Sequence, residues 1–331
     1  MNSQQAKAVR SIDGPMLVLA GAGSGKTRVI TEKIAYLIGP CGIAAHRIAA
    51  VTFTNKAAQE MKARVKKITG KKESKGLKVS TFHRLGLNIL HKEYEALDYK
   101  AGFSVFAQQD SITTLQELLR TSGERGLELA SRAQAQISSW KNIGIMPEQA
   151  AESAEDNQQL LLARLYTKYQ RQLHAYNAFH LDDLILQTVQ LFKLHPDILD
   201  AWQNRIHYLL VDEYQDTNAM QYELVKMLAA KRRCLTAVGD DDQSVYAWRG
   251  AKPENLEQLS KDFPDLKVIK LEQNYRSTGR ILKVANELIK NNPHVYEKRL
   301  WSELGFGEPI RVIQCNSAED EAERVCVELQ S

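Results

Sequence analysis

Between Leu17 and Thr27 an apolar run, a glycine-rich turn and a Lys-Thr pair follow one another without a gap. The stretch reads Leu-Val-Leu-Ala-Gly-Ala-Gly-Ser-Gly-Lys-Thr. Residues 16–20 have the composition of a strand buried on both faces, and residues 27–38 repeat apolar side chains at helical spacing. Strand, loop and helix in this order are the layout of a phosphate-binding P-loop. Gly21, Gly23 and Gly25 let backbone N–H groups turn inward around phosphate oxygens, and the helix N-terminus adds partial positive charge. The loop Ala22, Gly23, Ser24, Gly25, Lys26, Thr27 is therefore the candidate phosphate cradle. Within it Lys26 reaches for the β- and γ-phosphates and Thr27 for Mg²⁺. Ala20 occupies the first glycine position of the strict Gly-x-x-x-x-Gly-Lys-Thr pattern. The plain alternative is a strand-to-helix turn without a ligand; strand, loop and helix together argue against it.

The chain has 331 residues, room for two domains or for one domain with insertions. Apolar residues make up 44% and charged residues 25%, the balance of an ordinary globular chain. No run of 18 apolar residues occurs, so no membrane span and no membrane partner is expected. The opening Met-Asn-Ser-Gln-Gln-Ala-Lys lacks the apolar stretch of a secretory leader. Cys41, Cys234, Cys315 and Cys326 are scattered, with no Cys-x-x-Cys, which fits reduced thiols and a cytoplasmic location. The net charge of +4 decides little, but residues 62–78 carry one acidic residue among many basic ones. Such a run can line a phosphate backbone or be a solvated loop.

Short β-rich runs recur at 16–20, 48–53, 77–81, 207–211, 235–238 and 268–271, with helical stretches such as 57–67 and 220–230 between several of them. Strands alternating with helices predict an α/β fold, a parallel sheet covered on both faces. From Arg84 to about Pro196 the alternation stops. Helical patterns at 85–97, 111–120, 127–140, 158–174 and 182–194 predict an all-helical insertion after the third strand. After Gln273 the pattern predicts a helix at 277–291, a strand at 309–314 and a helix at 318–329. That is too little for a domain and resembles the first βα portion of one.

Two further motifs carry chemistry. The strand 207–211 ends directly in Asp212 and Glu213. Beside a P-loop, Asp212 would bind Mg²⁺ through the Thr27 shell, and Glu213 would accept a proton from, or orient, an attacking water. Capping the next helix is the plain alternative. The strand 235–238 leads into Gly-Asp-Asp-Asp-Gln-Ser-Val-Tyr-Ala-Trp-Arg-Gly. Gln243 sits where a γ-phosphate sensor would lie. Tyr246, Trp248 and Arg249 offer two aromatic faces and a guanidinium within four residues, the chemistry that holds single-stranded nucleic acid. A core role for Trp248 is the plain reading; its polar company argues against it.

In order along the chain stand Gln5, the loop 20–27, Val-Thr-Phe-Thr-Asn-Lys-Ala-Ala at 51–58, Ser-Thr-Phe-His at 80–83, Leu-Val-Asp-Glu-Tyr-Gln-Asp at 210–216, the run 239–250 and Gln-Asn-Tyr-Arg-Ser at 273–277. This series resembles the superfamily 1A DNA helicases, the UvrD/Rep/PcrA group, essentially from end to end of the chain. The resemblance implies that Gln5 reads adenine and that Arg28 and Tyr275 sandwich its ring. It makes Arg276 and Gln243 γ-phosphate contacts, and puts Phe53, Asn55, His83, Tyr246, Trp248 and Arg249 on the single-strand DNA surface. In family terms residues 1–83 and about 198–275 form a first RecA-like domain, 84–197 its helical insertion, and 276–331 the start of a second RecA-like domain.

The sequence departs from the family in three places. The family's Asp-Phe-Asp-Asp-Leu stretch reads His180-Leu181-Asp182-Asp183-Leu184. No later Thr-x-His-x-x-Lys-Gly segment or second arginine-bearing ATP motif follows, and there is no room for a second insertion. The implied activity of the full enzyme is ATP- and Mg²⁺-dependent translocation on single-stranded DNA with 3′→5′ unwinding of 3′-tailed duplex, beside replication or repair proteins. Slow turnover is expected of these 331 residues alone. The readings from other classes are a non-catalytic ATP- and DNA-binding module, and a P-loop enzyme acting on a small molecule.

Overall fold

Side chains along the central strands alternate between two separate cores, as a pleated sheet covered on both faces requires. In the computed structural model, which describes residues 1–121, 126–246, 250–252, 254–292 and 296–330, the strands are β1 (Met16–Ala20), β2 (Ile48–Thr52), β3 (Lys78–Thr81), β4 (Ser104–Phe106), β5 (Ala178–His180), β6 (Tyr208–Val211), β7 (Leu235–Gly239) and β8 (Lys267–Leu271). Six of them form one sheet in the order β3-β2-β6-β7-β1-β8, with every neighbouring pair parallel. Strands β1, β2, β6 and β7 are buried throughout, and the edge strands β3 and β8 are partly open.

The helices are α1 (Ser3–Arg10), α2 (Lys26–Ile38), α3 (Asn55–Thr69), α4 (Phe82–Glu93), α5 (Gln108–Thr121), α6 (Leu127–Ile143), α7 (Pro147–Glu152), α8 (Asn157–Ala175), α9 (Asp183–Leu194), α10 (Pro196–Arg205), α11 (Ala219–Ala229), α12 (Asn255–Asp262), α13 (Gly279–Ile289) and α14 (Ala318–Gln330). Met16, Val18 and Ala20 join Ile30 and Ile34 of α2 and Met61 and Val65 of α3 on one face. Leu17, Leu19 and Val211 join Leu85 and Ile89 of α4, Ile185 and Val189 of α9 and Leu224 of α11 on the other. No described helix is long and apolar enough to cross a membrane.

The stretch between β3 and β6 divides between two cores. Helices α4, α9 and α10 pack in the layer on the sheet. Helices α5, α6 and α8 enclose a third core around Leu115, Ile137, Tyr166 and Tyr169. The stretch is also not purely helical: β4 and β5 form a short parallel pair, Ser104 opposite Ala178 and Phe106 opposite His180. Three residues per strand are too few to show an alternating pattern in sequence.

Residues 309–314, expected as a strand, make no ladder among the described residues and are exposed. A strand with no neighbour cannot satisfy its backbone groups. Helix α14 buries none of its residues, and α13 buries only Leu282 while Ile281, Val284 and Leu288 face outward.

One ion pair joins the third core to the sheet layer. Lys141 of α6 and Asp183 of α9 are fully buried, with Nζ 2.6 Å from Oδ1. Lys141 also donates to Gln170 Oε1 at 2.8 Å, and Asp183 Oδ2 accepts from His180 N at 3.0 Å. His180 is itself buried in this joint. Breaking a buried pair strands a charge, which costs about 3–5 kcal/mol. Lys141→Ala should therefore lower unfolding stability by about that much in urea titrations. An unchanged midpoint would show that the pair does not hold the two cores together.

Candidate functional site

Parallel pairing puts the C-terminal ends of all six strands on one edge of the sheet, and every motif that follows a strand leaves from that edge. Strands β6, β7 and β1 are direct neighbours, so the loops holding Asp212, Gln243 and Lys26 converge although they lie far apart in the chain. Crevices at such edges are where ligands bind in open α/β sheets.

The loop after β1 is held from below and above. Gln5 is buried, and its Nε2 donates to Ser24 O at 2.8 Å while its Oε1 accepts from Asn2 N at 3.1 Å. Gln5 thus braces the loop as well as bordering it. Ser24 Oγ donates to Gly21 O at 2.7 Å. Gly23 has φ +71°, and a Cβ there would fall 2.6 Å from Asn274 Nδ2, so both the turn and the close approach require glycine. Helix α2 begins at Lys26, directly after the loop.

Lys26 Nζ lies 3.3 Å from Glu213 Oε2 and donates to Gln243 Oε1 at 3.1 Å. Three residues from three loops therefore meet at one ammonium. Asp212 is buried behind them; burial first, then the charge of Glu213, pushes its carboxyl up to about 7. Glu213 sits in the left-handed backbone region at φ 49°, a conformation costly for a residue with a Cβ and concentrated at functional sites. Gln215 ties the two acidic loops together: its Nε2 donates to Glu213 Oε2 at 3.0 Å, and its Oε1 accepts from Asp240 N at 3.0 Å. Asp216 is pushed up to about 6 by burial and then by Glu213.

Two adjoining clefts open above these residues. One, of about 550 Å³, is lined by Ala22, Gly23, Gly25, Lys26, Thr27, Arg28, Glu213, Gln243, Tyr275 and Arg276. Most of the expected phosphate, adenine and γ-phosphate residues thus line this one cleft; Gln5 and Ser24 lie behind it. The other, of about 400 Å³, is lined by Thr27, Phe53, Asp212, Glu213, Gln243 and Tyr246 among others. Phe53 and Tyr246 stack there, with ring centroids 5.6 Å apart and planes 12° apart. Two polar atoms among the residues lining this cleft, Thr52 Oγ1 and Asp216 Oδ1, are buried with no hydrogen-bond partner among the described residues. Buried polar groups are almost always paired, so these point to a polar occupant.

Other expected residues lie apart. Asn55 opens a separate polar cleft with Lys62, Ser80 and Arg84. His83 is partly buried; desolvation lowers its pKa, and the Asp182 charge opposes this. Trp248 and Arg249 lie outside the described residues. The basic run 62–78 is solvent-exposed along most of its length.

Sequence reasoning missed two residues here. Arg64 lines both clefts, hidden in the sequence within the basic run. Asn274 is buried; its Nδ2 donates to Ala22 O at 2.6 Å, and its Oδ1 accepts from Arg276 N at 2.8 Å and Ser277 N at 2.7 Å. Tyr275 N donates to Gly23 O at 2.9 Å, so the whole Asn-Tyr-Arg segment is pinned to the loop.

A six-stranded parallel sheet with a P-loop and a strand-end Asp-Glu pair defines a RecA-like P-loop fold. Known families narrow the class: the UvrD/REP helicase N-terminal domain matches residues 1–264, and the UvrD-like helicase C-terminal domain matches residues 269–331. The chain belongs to the UvrD/REP helicase family. It is 56% identical over 329 residues to the ATP-dependent DNA helicase Rep of Escherichia coli (strain K12), covering 99% of this chain and 49% of that protein. It is 47% identical to the Rep of Buchnera aphidicola subsp. Acyrthosiphon pisum, over 98% of this chain and 50% of that protein. It is 42% identical to the ATP-dependent DNA helicase PcrA of Staphylococcus aureus (strain Mu50), over 99% of this chain and 45% of that protein. The chain spans about half the length of the curated relatives it matches.

Losing the Asn274 amide leaves Ala22 O and two backbone N–H groups without their partner, at about 1–3 kcal/mol. Asn274→Ala should weaken binding of a non-hydrolysable ATP analogue by about tenfold or more in calorimetry. Unchanged affinity would show that the Asn-Tyr-Arg segment does not support the loop.

Proposed function

We propose that this chain binds ATP with Mg²⁺ in the cleft above the P-loop and single-stranded DNA beside it, as part of an enzyme that couples ATP hydrolysis to movement on DNA. The observation that carries the reading is the convergence of Lys26, Glu213 and Gln243. One cation, one carboxylate and one amide from three strand ends meet where a terminal phosphate has to be recognised and attacked.

The roles follow from chemistry and position. Backbone N–H groups of residues 22–27 and the start of α2 bind phosphate oxygens. Lys26 neutralises charge on the β- and γ-phosphates. Mg²⁺, which shields phosphate charge when bound, would be held by the Thr27 hydroxyl and the Asp212 carboxylate; the buried Asp212 is suited to a cation that replaces its proton. Glu213 takes the proton of the attacking water, and its bond to Gln215 keeps it aimed. Gln243 and Arg276 contact the γ-phosphate. Arg28 and Tyr275 enclose the adenine, with Gln5 at the loop's foot. In the adjoining cleft Phe53 and Tyr246 give bases an aromatic platform, with Asn55, His83, Trp248 and Arg249 extending the DNA path.

By likeness to proteins named ATP-dependent DNA helicases, the whole protein would track along single-stranded DNA in the 3′→5′ direction. It would open 3′-tailed duplexes, in the cytoplasm with the chromosome and beside replication or repair proteins. The stacked Phe53 and Tyr246 beside the nucleotide cleft favour this reading over a small-molecule P-loop enzyme.

Lys26→Ala should abolish binding of a non-hydrolysable ATP analogue with Mg²⁺ while the melting curve stays near that of the parent. Tyr246→Ala should weaken oligo-dT binding by about 1–3 kcal/mol in fluorescence anisotropy. Nucleotide affinity that survives the loss of Lys26 would remove the P-loop assignment. A chain that binds nucleotide but no oligo-dT would remove the DNA assignment.

A further inference from the structure

Lys298 belongs to no strand or helix; it lies in the segment after α13. Its side chain is nevertheless only 4% exposed, and its ammonium sits among three carboxylates. Nζ is 2.6 Å from Asp240 Oδ1, 2.6 Å from Asp242 Oδ2 and in contact with Asp241 Oδ1. These aspartates follow β7 consecutively and are themselves nearly buried. Three carboxylates crowded out of water repel one another unless a cation joins them. Burial alone would lower the Lys298 pKa; the aspartates, Asp240 foremost, override it and raise it above the ordinary lysine value.

Asp240 is the link from this cluster to the nucleotide cleft. Its Oδ1 faces Lys298 and its Oδ2 accepts from Gln243 Nε2. Gln243 Oε1 in turn accepts from Lys26 Nζ at 3.1 Å. An unbroken polar chain therefore runs Lys298–Asp240–Gln243–Lys26. The residues that follow Lys298 are fastened to Glu272, just past the end of β8. Arg299 N donates to Glu272 Oε1 at 2.9 Å, and Trp301 N donates to Glu272 O at 3.0 Å. Leu300 rests on the P-loop itself: a Cβ on Gly21 would fall 2.4 Å from Leu300 Cδ2.

We propose that Lys298 is a positioning residue of the nucleotide site, fixing Asp240 and through it the Gln243 amide in the place from which Gln243 meets the terminal phosphate of ATP. The proposal rests on the ATP-binding reading above and adds to it. Discrimination of ATP from ADP then depends on a residue of the C-terminal segment that lines neither cleft. Because Lys298 and Leu300 lie on one short stretch, a shift of that stretch moves the sensing amide and the phosphate loop together.

The test is calorimetry on the 331-residue chain with Mg²⁺ and either ADP or a non-hydrolysable ATP analogue. Lys298→Met should cut the preference for the ATP analogue about tenfold, the worth of a lost charge-assisted contact, and move ADP affinity by less than about twofold. Lys298→Arg, which keeps the charge, should keep most of the preference. In a Gln243→Ala background Lys298→Met should have no further effect, because its route to the phosphate is gone. Lys298→Met that binds both ligands as the parent does, or weakens both equally, overturns the proposal, and so do additive effects in the double variant. A parent chain that binds neither ligand fails the ATP-binding reading and takes the proposal with it. Melting curves check that each variant is folded; if Lys298→Met is not, Lys298→Gln carries the same test.

Discussion

Everything at the site depends on the strands being parallel. With β6, β7 and β1 side by side and all pointing one way, the residue after each strand emerges at the same edge. Asp212 and Glu213 leave β6, Asp240 leaves β7 and the glycine loop leaves β1, so the Lys26, Glu213 and Gln243 side chains can meet. An antiparallel neighbour at any of these places would send one loop to the opposite edge. The parallel sheet in turn depends on cover for both faces, which the alternating cores on α2–α3 and on α4, α9 and α11 supply.

The second half of the site comes from the segment beyond β8. Asn274 holds Ala22 O, Tyr275 N holds Gly23 O, Leu300 rests against Gly21, and Lys298 gathers the aspartates after β7. The P-loop is therefore gripped on one side by Gln5 at the start of the chain and on the other by residues near its end. Such a grip makes the phosphate loop sensitive to the position of the C-terminal segment.

Much of this was legible in the sequence because the signals are local. The β1 loop announces itself through three glycines and Lys-Thr, and the Asp-Glu pair follows an apolar strand directly. The six sheet strands stand out as short apolar runs within a residue or so of their observed ends. Arg64 and Lys298 were illegible, and Asn274 was seen only as part of the 273–277 motif, because their roles come from partners distant in sequence. Arg64 looks like any base in a charged helix, and Lys298 looks like a surface lysine beside Glu297 and Arg299. The strand expected at 309–314 fails for the complementary reason: β-rich composition marks a segment able to pair, and pairing needs a neighbour. The β4–β5 pair shows the converse, since two three-residue segments with little pattern pair because packing brings them side by side.

The central claim is that the loops after β1, β6 and β7 form one nucleotide site. A crystal structure of the chain with Mg²⁺ and a non-hydrolysable ATP analogue tests it most directly. The account predicts the phosphates within the loop of residues 22–27, the metal on Thr27 and Asp212, Lys26 turned from Glu213 toward the phosphates, and Gln243 against the terminal one. Phosphates bound elsewhere, or a metal away from Asp212 with Lys26 still paired to Glu213, would contradict it.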